Sequence, residues 1–206
     1  GLSADLIEMV QAQVEKEEQG IADQCKVVFD QWMKDNNLAE AATPSASIKA
    51  SARLVDVTGQ SGDEVARLGK LADLVLLRAP SIEDGDLSAA AESAIYDTGR
   101  PVLFSPRREL PSLGRRVAVF WNDTAEASRA AKAAMPFLKK ADTVKIMSVD
   151  EGSLDPQLVR DFAESLAWHG VNAEAVVLEP DHRSSGEALL DAAADFESDL
   201  VVMGAF

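Results

Sequence analysis

Apolar side chains recur along the first part of the chain at the three- and four-residue spacing of one helix face. Glu, Gln and Lys separate them, so the pattern predicts one long amphipathic helix from Ser3 to about Trp32. Cys25 lies on this apolar stripe, and we expect it to be a small core residue. The stripe consists of Leu6, Val10, Val14, Ile21, Cys25, Val28 and Trp32.

Beyond this helix, short apolar runs alternate with amphipathic segments, which is the pattern of parallel α/β proteins. Ser61 and Glu64 have the spacing of a capping box, and Gly99 is placed to end a later helix. Asp155 followed by Pro156 predicts another helix start. The predicted strands are residues 52–57, 73–77, 101–104, 116–121, 144–149, 173–178 and 199–203.

One part of this pattern occurs twice. A capping box, a short helix and a buried strand follow one another from Ser61 to Leu77, and again from Ser184 to Met203. A predicted linker, residues 107–114, contains Pro111 and Gly114 and separates the copies. We therefore predict two tandem domains, residues 1–111 and 112–206, each a Rossmann-like, doubly wound parallel sheet.

Charge and composition argue against two classes of protein, those that bind nucleic acid and those that span a membrane. Lys and Arg number 20 against 35 Asp and Glu, and the net charge of -15 disfavours binding to nucleic acid. No window approaches the roughly 20 apolar residues of a membrane span. With one cysteine there is no intrachain disulfide, so we expect a cytoplasmic protein.

The sequence has no recognisable catalytic constellation. His169 and His182 lack the spacing of zinc ligands, and we expect both at the surface. No nucleophile elbow follows a strand, so a hydrolytic triad has no support and we predict no enzyme. Trp32, Trp121 and Trp168 lie on helix stripes or at a strand end, and we expect them to be packing residues. For Trp121, which precedes the candidate binding loop, the alternative is that it lines a pocket.

Four segments together resemble the universal stress protein family, in its tandem two-domain bacterial form. They are residues 98–103, 117–124, 184–203 and 199–206. The resemblance implies that each complete domain has the fold of the adenine nucleotide alpha hydrolase-like group, with five strands in the order 3-2-1-4-5. Against that template the first half lacks its N-terminal strands and the second half its C-terminal part, so we expect the native protein to extend further.

The same resemblance implies a place for a nucleotide, at the carboxyl ends of the strands. Carried over position by position, Asn122, Thr124, Val149 and Gly204 would contact it. Asn122 and Asp123 depart from the family, because nucleotide-binding relatives have Asp and Gly at these positions. Capping of the next helix by Asp123 or Thr124 is the structural alternative. In the first half, the position of the opening phosphate-binding glycine is Arg78.

The resemblance therefore implies a stress-response module for binding and dimerisation. We expect a homodimer in which the first half binds no nucleotide and the second half binds ATP or AMP weakly at most. The alternative is a slow adenine-nucleotide hydrolase or phosphotransfer enzyme on the same scaffold.

Overall fold

The computed structural model describes residues 4–41, 43, 49–80, 88–152, 154–179 and 182–205. Its contacts divide the chain into two compact units, residues 1–59 and 60–206. The helices are α1 Ala4–Asp35, α2 Ser61–Gly69, α3 Ala89–Asp97, α4 Ala125–Leu138, α5 Pro156–Ala167 and α6 Ser185–Asp195. The strands are β1 Ala39–Glu40, β2 Ser51–Ala52, β3 Val75–Arg78, β4 Val102–Ser105, β5 Arg116–Phe120, β6 Thr143–Val149, β7 Ala173–Leu178 and β8 Leu200–Val202.

The first unit contains the predicted long helix, but the stripe residues whose burial is described, from Val14 to Trp32, are exposed. Ile21 is 62% and Val28 68% exposed, and Cys25 is exposed as well, so its prediction as a core residue is wrong. The strand predicted at 52–57 is also wrong beyond its first residue. Among the described residues, strand β2 pairs with β1 alone, over two residues. The apolar side chains that follow therefore have no described strand to pair with.

In the second unit, β3 and β4 form a parallel pair, and α2 packs against α3. Gly69 allows the ends of these helices to approach closely, since a Cβ at this position would lie 2.6 Å from Thr98 Cγ2. The predicted capping box at Ser61 is wrong. Helix α2 begins one residue earlier than that motif requires, with Gln60 at the N-cap, and Glu64 pairs with Arg67 instead.

A four-stranded parallel sheet with the order β7-β6-β5-β8 forms the larger part of this unit. Helices α4 and α5 pack on one face, where Val117, Ile146 and Val159 are fully buried. Helix α6 covers the other face, where Phe196 packs against Phe120 and Met147. Burial on both faces explains the continuous apolar run of the central strand β5, and the mixed α/β fold with parallel sheets is confirmed.

Asp199 fastens the segment before β5 to the start of β8. Its carboxylate accepts hydrogen bonds from Ser112 Oγ at 2.6 Å and from the backbone N–H groups of Arg116 at 2.9 Å and Arg115 at 3.1 Å. Partial burial raises the pKa of Asp199, but these hydrogen bonds outweigh it and hold the pKa below its ordinary value. Strands β4 and β5 belong to separate sheets, and the segment that hydrogen-bonds to Asp199 lies between them in the chain. The domain boundary at 111/112 stays a prediction.

Candidate functional site

The four strands β5 to β8 are parallel, so their carboxyl ends share one edge of the sheet. The loops at this edge lead into the N-termini of α4, α5 and α6. Ligands of open α/β sheets generally bind at such an edge, where first-turn N–H groups lack intrahelical acceptors. We call it the carboxyl edge.

The loop after β5 begins at Trp121, whose ring and backbone both make fixed contacts. Trp121 is 9% exposed and its ring stacks on Phe162, with 3.7 Å between the ring centroids. The Trp121 backbone donates to Met147 O at 2.9 Å and accepts from Ser148 Oγ. Among the buried side-chain polar atoms of the described residues, the indole Nε1–H of Trp121 alone lacks a hydrogen-bond partner.

The next three residues are exposed and form a compact turn into α4. Thr124 is the N-cap: its Oγ accepts from Ala127 N at 3.3 Å and donates to Asn122 Oδ1 at 2.7 Å. Between them, Asp123 has φ of 58°, in the left-handed region that glycine adopts without strain. The backbone therefore keeps a conformation suited to glycine although the residue is aspartate.

Gly204 follows β8 and lies against this same turn. A Cβ built on it would be 2.6 Å from Ala127 N and 2.8 Å from the backbone carbon of Glu126. Those neighbours are backbone atoms and cannot rotate away, so only glycine fits here. The structure thus brings Gly204 together with the first turn of α4, beside Asn122 and Thr124.

Val149 ends β6 at the same edge, paired with Leu178 of β7. The loop after it turns on Asp150, whose carboxylate accepts from Gly152 N at 2.8 Å. Glu151 accepts a hydrogen bond from Ser185 at the start of α6. The three acidic side chains Asp123, Asp150 and Glu151 give this part of the edge a negative charge, which opposes an anionic ligand.

Side chains cap the two other helices at this edge. Asp155 accepts from Gln157 N at 2.8 Å, and Pro156 occupies the first turn, as predicted. The second capping box is confirmed: Ser184 accepts from Glu187 N, and Glu187 accepts from Ser184 N at 2.9 Å. The side chain and backbone of Ser184 lower the pKa of Glu187 by hydrogen bonding to its carboxylate.

Metal and membrane features are missing from the part of the chain that the structure describes. No group of three His, Cys, Asp or Glu side chains there could hold a metal ion. None of the helices described combines the length and apolar character needed to cross a bilayer. His169 and His182 are both exposed, as predicted.

Sequence reasoning missed two features of this unit. An open surface depression of about 290 Å³ lies between α5 and β7, at the amino end of that strand and so away from the carboxyl edge. Trp168, which follows α5, is 91% exposed, and this contradicts the prediction that it packs. The alanines at 163, 167, 173 and 175 were the available signal, because small side chains leave room between a helix and a strand.

Comparison with solved structures identifies the fold. The chain superposes on a universal stress protein from Archaeoglobus fulgidus with a TM-score of 0.67 and 17% identity, over 98% of this chain and 71% of that one. A universal stress family protein from Burkholderia pseudomallei gives a TM-score of 0.39, 21% identity, and coverage of 47% and 85%. For a Mycobacterium tuberculosis protein the values are 0.34, 20%, 45% and 71%. No protein-family model and no curated protein matches the sequence.

Proposed function

We propose that this chain is a universal-stress-type module for binding and dimerisation in the stress response. Its second half would bind an adenine nucleotide weakly at the carboxyl edge. The observation that carries the proposal is the seating of Gly204 on the first turn of α4, beside the turn formed by Asn122 and Thr124. The first-turn backbone N–H groups of this helix N-terminus suit phosphate, apart from that of Ala127, which already donates to Thr124 Oγ.

The tandem arrangement belongs to this proposal. The sheet order β7-β6-β5-β8 corresponds to positions 3-2-1-4 of a five-stranded domain, and the pair β3 and β4 corresponds to positions 4 and 5 of another. The pattern of a short helix followed by an apolar strand occurs at residues 61–77, ending in β3, and again at 184–203, ending in β8, which supports this assignment. The two halves would then be two copies of one domain, located in the cytoplasm.

The first half would bind no nucleotide in this way. Strand β3 ends at Arg78, and Ala79 and Pro80 follow it, without the opening glycine. The Ala79 N–H already donates to Ser105 O at 2.8 Å, and proline has no N–H to offer. Two successive positions are therefore unsuited to holding phosphate.

Asp123 accounts for weak binding by the second half, and its replacement is the direct test. Asp123→Gly keeps the left-handed turn and removes a carboxylate beside the expected phosphates. A unit charge about 4 Å away is worth roughly 1 kcal/mol in water and more near a protein surface. We therefore expect Asp123→Gly to tighten ATP binding about tenfold, measured by isothermal titration calorimetry on the full chain.

Glu197→Gly is the matched control. Glu197 is also exposed, acidic and left-handed, with φ of 53°, but it precedes β8 and so lies at the opposite edge of the sheet. This variant should bind ATP as the unchanged chain does. Equal gains in the two variants would mean that overall charge, not the carboxyl edge, governs binding. No saturable heat with ATP or AMP from the chain or from Asp123→Gly would refute the nucleotide part of the proposal.

A further inference from the structure

Ser148 is a polar residue at a position where its strand otherwise buries apolar side chains. It lies on β6, whose residues Val144 and Ile146 are buried against α4 and α5. Side chains two residues apart in a strand share one face of the sheet, so Ser148 continues this apolar row. It is only 1% exposed. A hydroxyl buried this deeply costs stability unless it is hydrogen-bonded, and its partner therefore indicates why serine occupies the position.

The partner of this hydroxyl is a backbone carbonyl on another segment of the sheet. Ser148 Oγ donates to Trp121 O, across 27 residues of sequence. Among the described residues, Thr98 also has a buried hydroxyl, but it donates to Ala94 O, four residues earlier at the end of α3. The Ser148 hydroxyl thus links two segments, whereas that of Thr98 serves its own helix end.

The hydrogen bond lies at the point where β5 stops pairing with β6. The last pair of the two strands is Phe120 with Met147. Trp121 and Ser148 come next and therefore stand opposite each other. The Trp121 N–H still donates to Met147 O at 2.9 Å, while β6 continues to Val149 in its pairing with β7. Ser148 thus supplies a side-chain donor to the Trp121 carbonyl where the chain leaves the ladder.

The orientation of that carbonyl determines how the candidate site begins. A peptide unit is planar and trans, so the Trp121 C=O and the Asn122 N–H lie in one plane and point in opposite directions. Holding the carbonyl against Ser148 therefore also fixes the direction of the Asn122 N–H. The Asn122 side chain in turn accepts from Thr124 Oγ, at the N-cap of α4. The buried hydroxyl is connected in this way to the whole turn at residues 122–124.

We propose that Ser148 is a positioning residue of the carboxyl edge, because its buried hydroxyl fixes the peptide plane from which the turn at residues 122–124 starts. This inference rests on the proposed function, since the turn is part of the proposed nucleotide site. Ser148 lies inside the sheet and acts through the backbone of Trp121, without touching a ligand. Removing the hydroxyl should therefore loosen the turn and weaken nucleotide binding, while the rest of the sheet stays intact.

Hydrogen–deuterium exchange of the full chain without ligand tests the role of the hydroxyl in the turn. Ser148→Ala should raise the exchange rate at residues 122–127 by about threefold to tenfold, the range for one lost hydrogen bond, and leave exchange in α6 unchanged. Ser148→Thr keeps the hydroxyl and should exchange as the unchanged chain does. Ser198→Ala is the matched control, because Ser198 Oγ also donates to a backbone carbonyl, Ala193 O at 2.9 Å, but precedes β8 at the opposite edge.

Calorimetry with ATP on the same variants tests the link to the site. Ser148→Ala should raise the ATP dissociation constant by a similar factor, and Ser148→Thr and Ser198→Ala should leave it unchanged. The positioning role would be overturned by unchanged exchange at residues 122–127 in Ser148→Ala, by an equal rise in α6, or by unchanged ATP affinity despite faster exchange in the turn. If the unchanged chain binds no ATP, the nucleotide proposal fails, and the exchange at residues 122–127 still decides whether Ser148 fixes the turn.

Discussion

Trp121→Ala is expected to lower the free energy of unfolding by about 3–5 kcal/mol, the usual cost of truncating a buried tryptophan. The ring is almost fully buried and stacked on Phe162, in the cluster that joins β5 to α4 and α5. Truncation would leave a cavity beneath the turn that leads to Asn122 and Thr124. The shift of the urea unfolding midpoint measures the effect.

Trp121→Phe is the matched comparison for this prediction. Phenylalanine keeps an aromatic ring against Phe162 and removes the buried indole N–H that lacks an acceptor. We expect a smaller cost than for Trp121→Ala, because phenylalanine keeps one aromatic ring against Phe162 and the change deletes an unsatisfied donor. Similar losses for the two variants would mean that the remaining part of the indole, not the stacked ring, stabilises this position.

Gly204→Ala is expected to destabilise the second unit by about 1–3 kcal/mol, the range for forcing extra atoms into a packed site. The added methyl would lie 2.6 Å from Ala127 N, so either the end of β8 or the first turn of α4 must move. The same displacement would separate the groups proposed to hold phosphate. Urea unfolding measures the stability, and calorimetry with ATP measures the binding.

Gly186→Ala provides the control. Gly186 lies in helix α6, and a Cβ built there meets nothing within 4 Å. Alanine should leave stability unchanged or raise it by up to about 1 kcal/mol, because it is the better helix former. A loss at Gly186 as large as that at Gly204 would remove the steric explanation.

The sequence predicted the second half of the fold well, for a physical reason. Its central strand β5 is buried on both faces and stands out as an apolar run, and its helices begin at side chains that cap them locally, such as Asp155 and Ser184. These signals depend on neighbours in sequence. The structure therefore has α5 and α6 where the pattern placed them.

The first half shows where that reasoning fails. The segment from Arg53 to Val57 has strand-like residues, but a strand also needs a partner, which local sequence does not reveal. Ser61 and Glu64 have capping-box spacing, yet the backbone begins α2 at a different residue. Spacing along a chain predicts an element only when tertiary contacts agree.

The sequence predicted where the candidate site lies, but not the backbone conformation and contacts of its residues. The sequence resemblance placed Asn122, Thr124, Val149 and Gly204 at the ends of strands, and parallel pairing sets them along one edge. It did not reveal the left-handed backbone of Asp123 or the backbone contact that requires Gly204. Both depend on distances between segments far apart in sequence.

Hydrogen–deuterium exchange of the full chain, with and without saturating ATP, tests the central claim most directly. That claim is that the carboxyl edge of the four-stranded sheet is the ligand site. We predict slower exchange on ATP binding at residues 121–127 and 203–205, and unchanged exchange at residues 78–80 and 88–91 in the first half. Slower exchange only at residues 78–80 and 88–91, or unchanged exchange throughout residues 112–206, would contradict this claim.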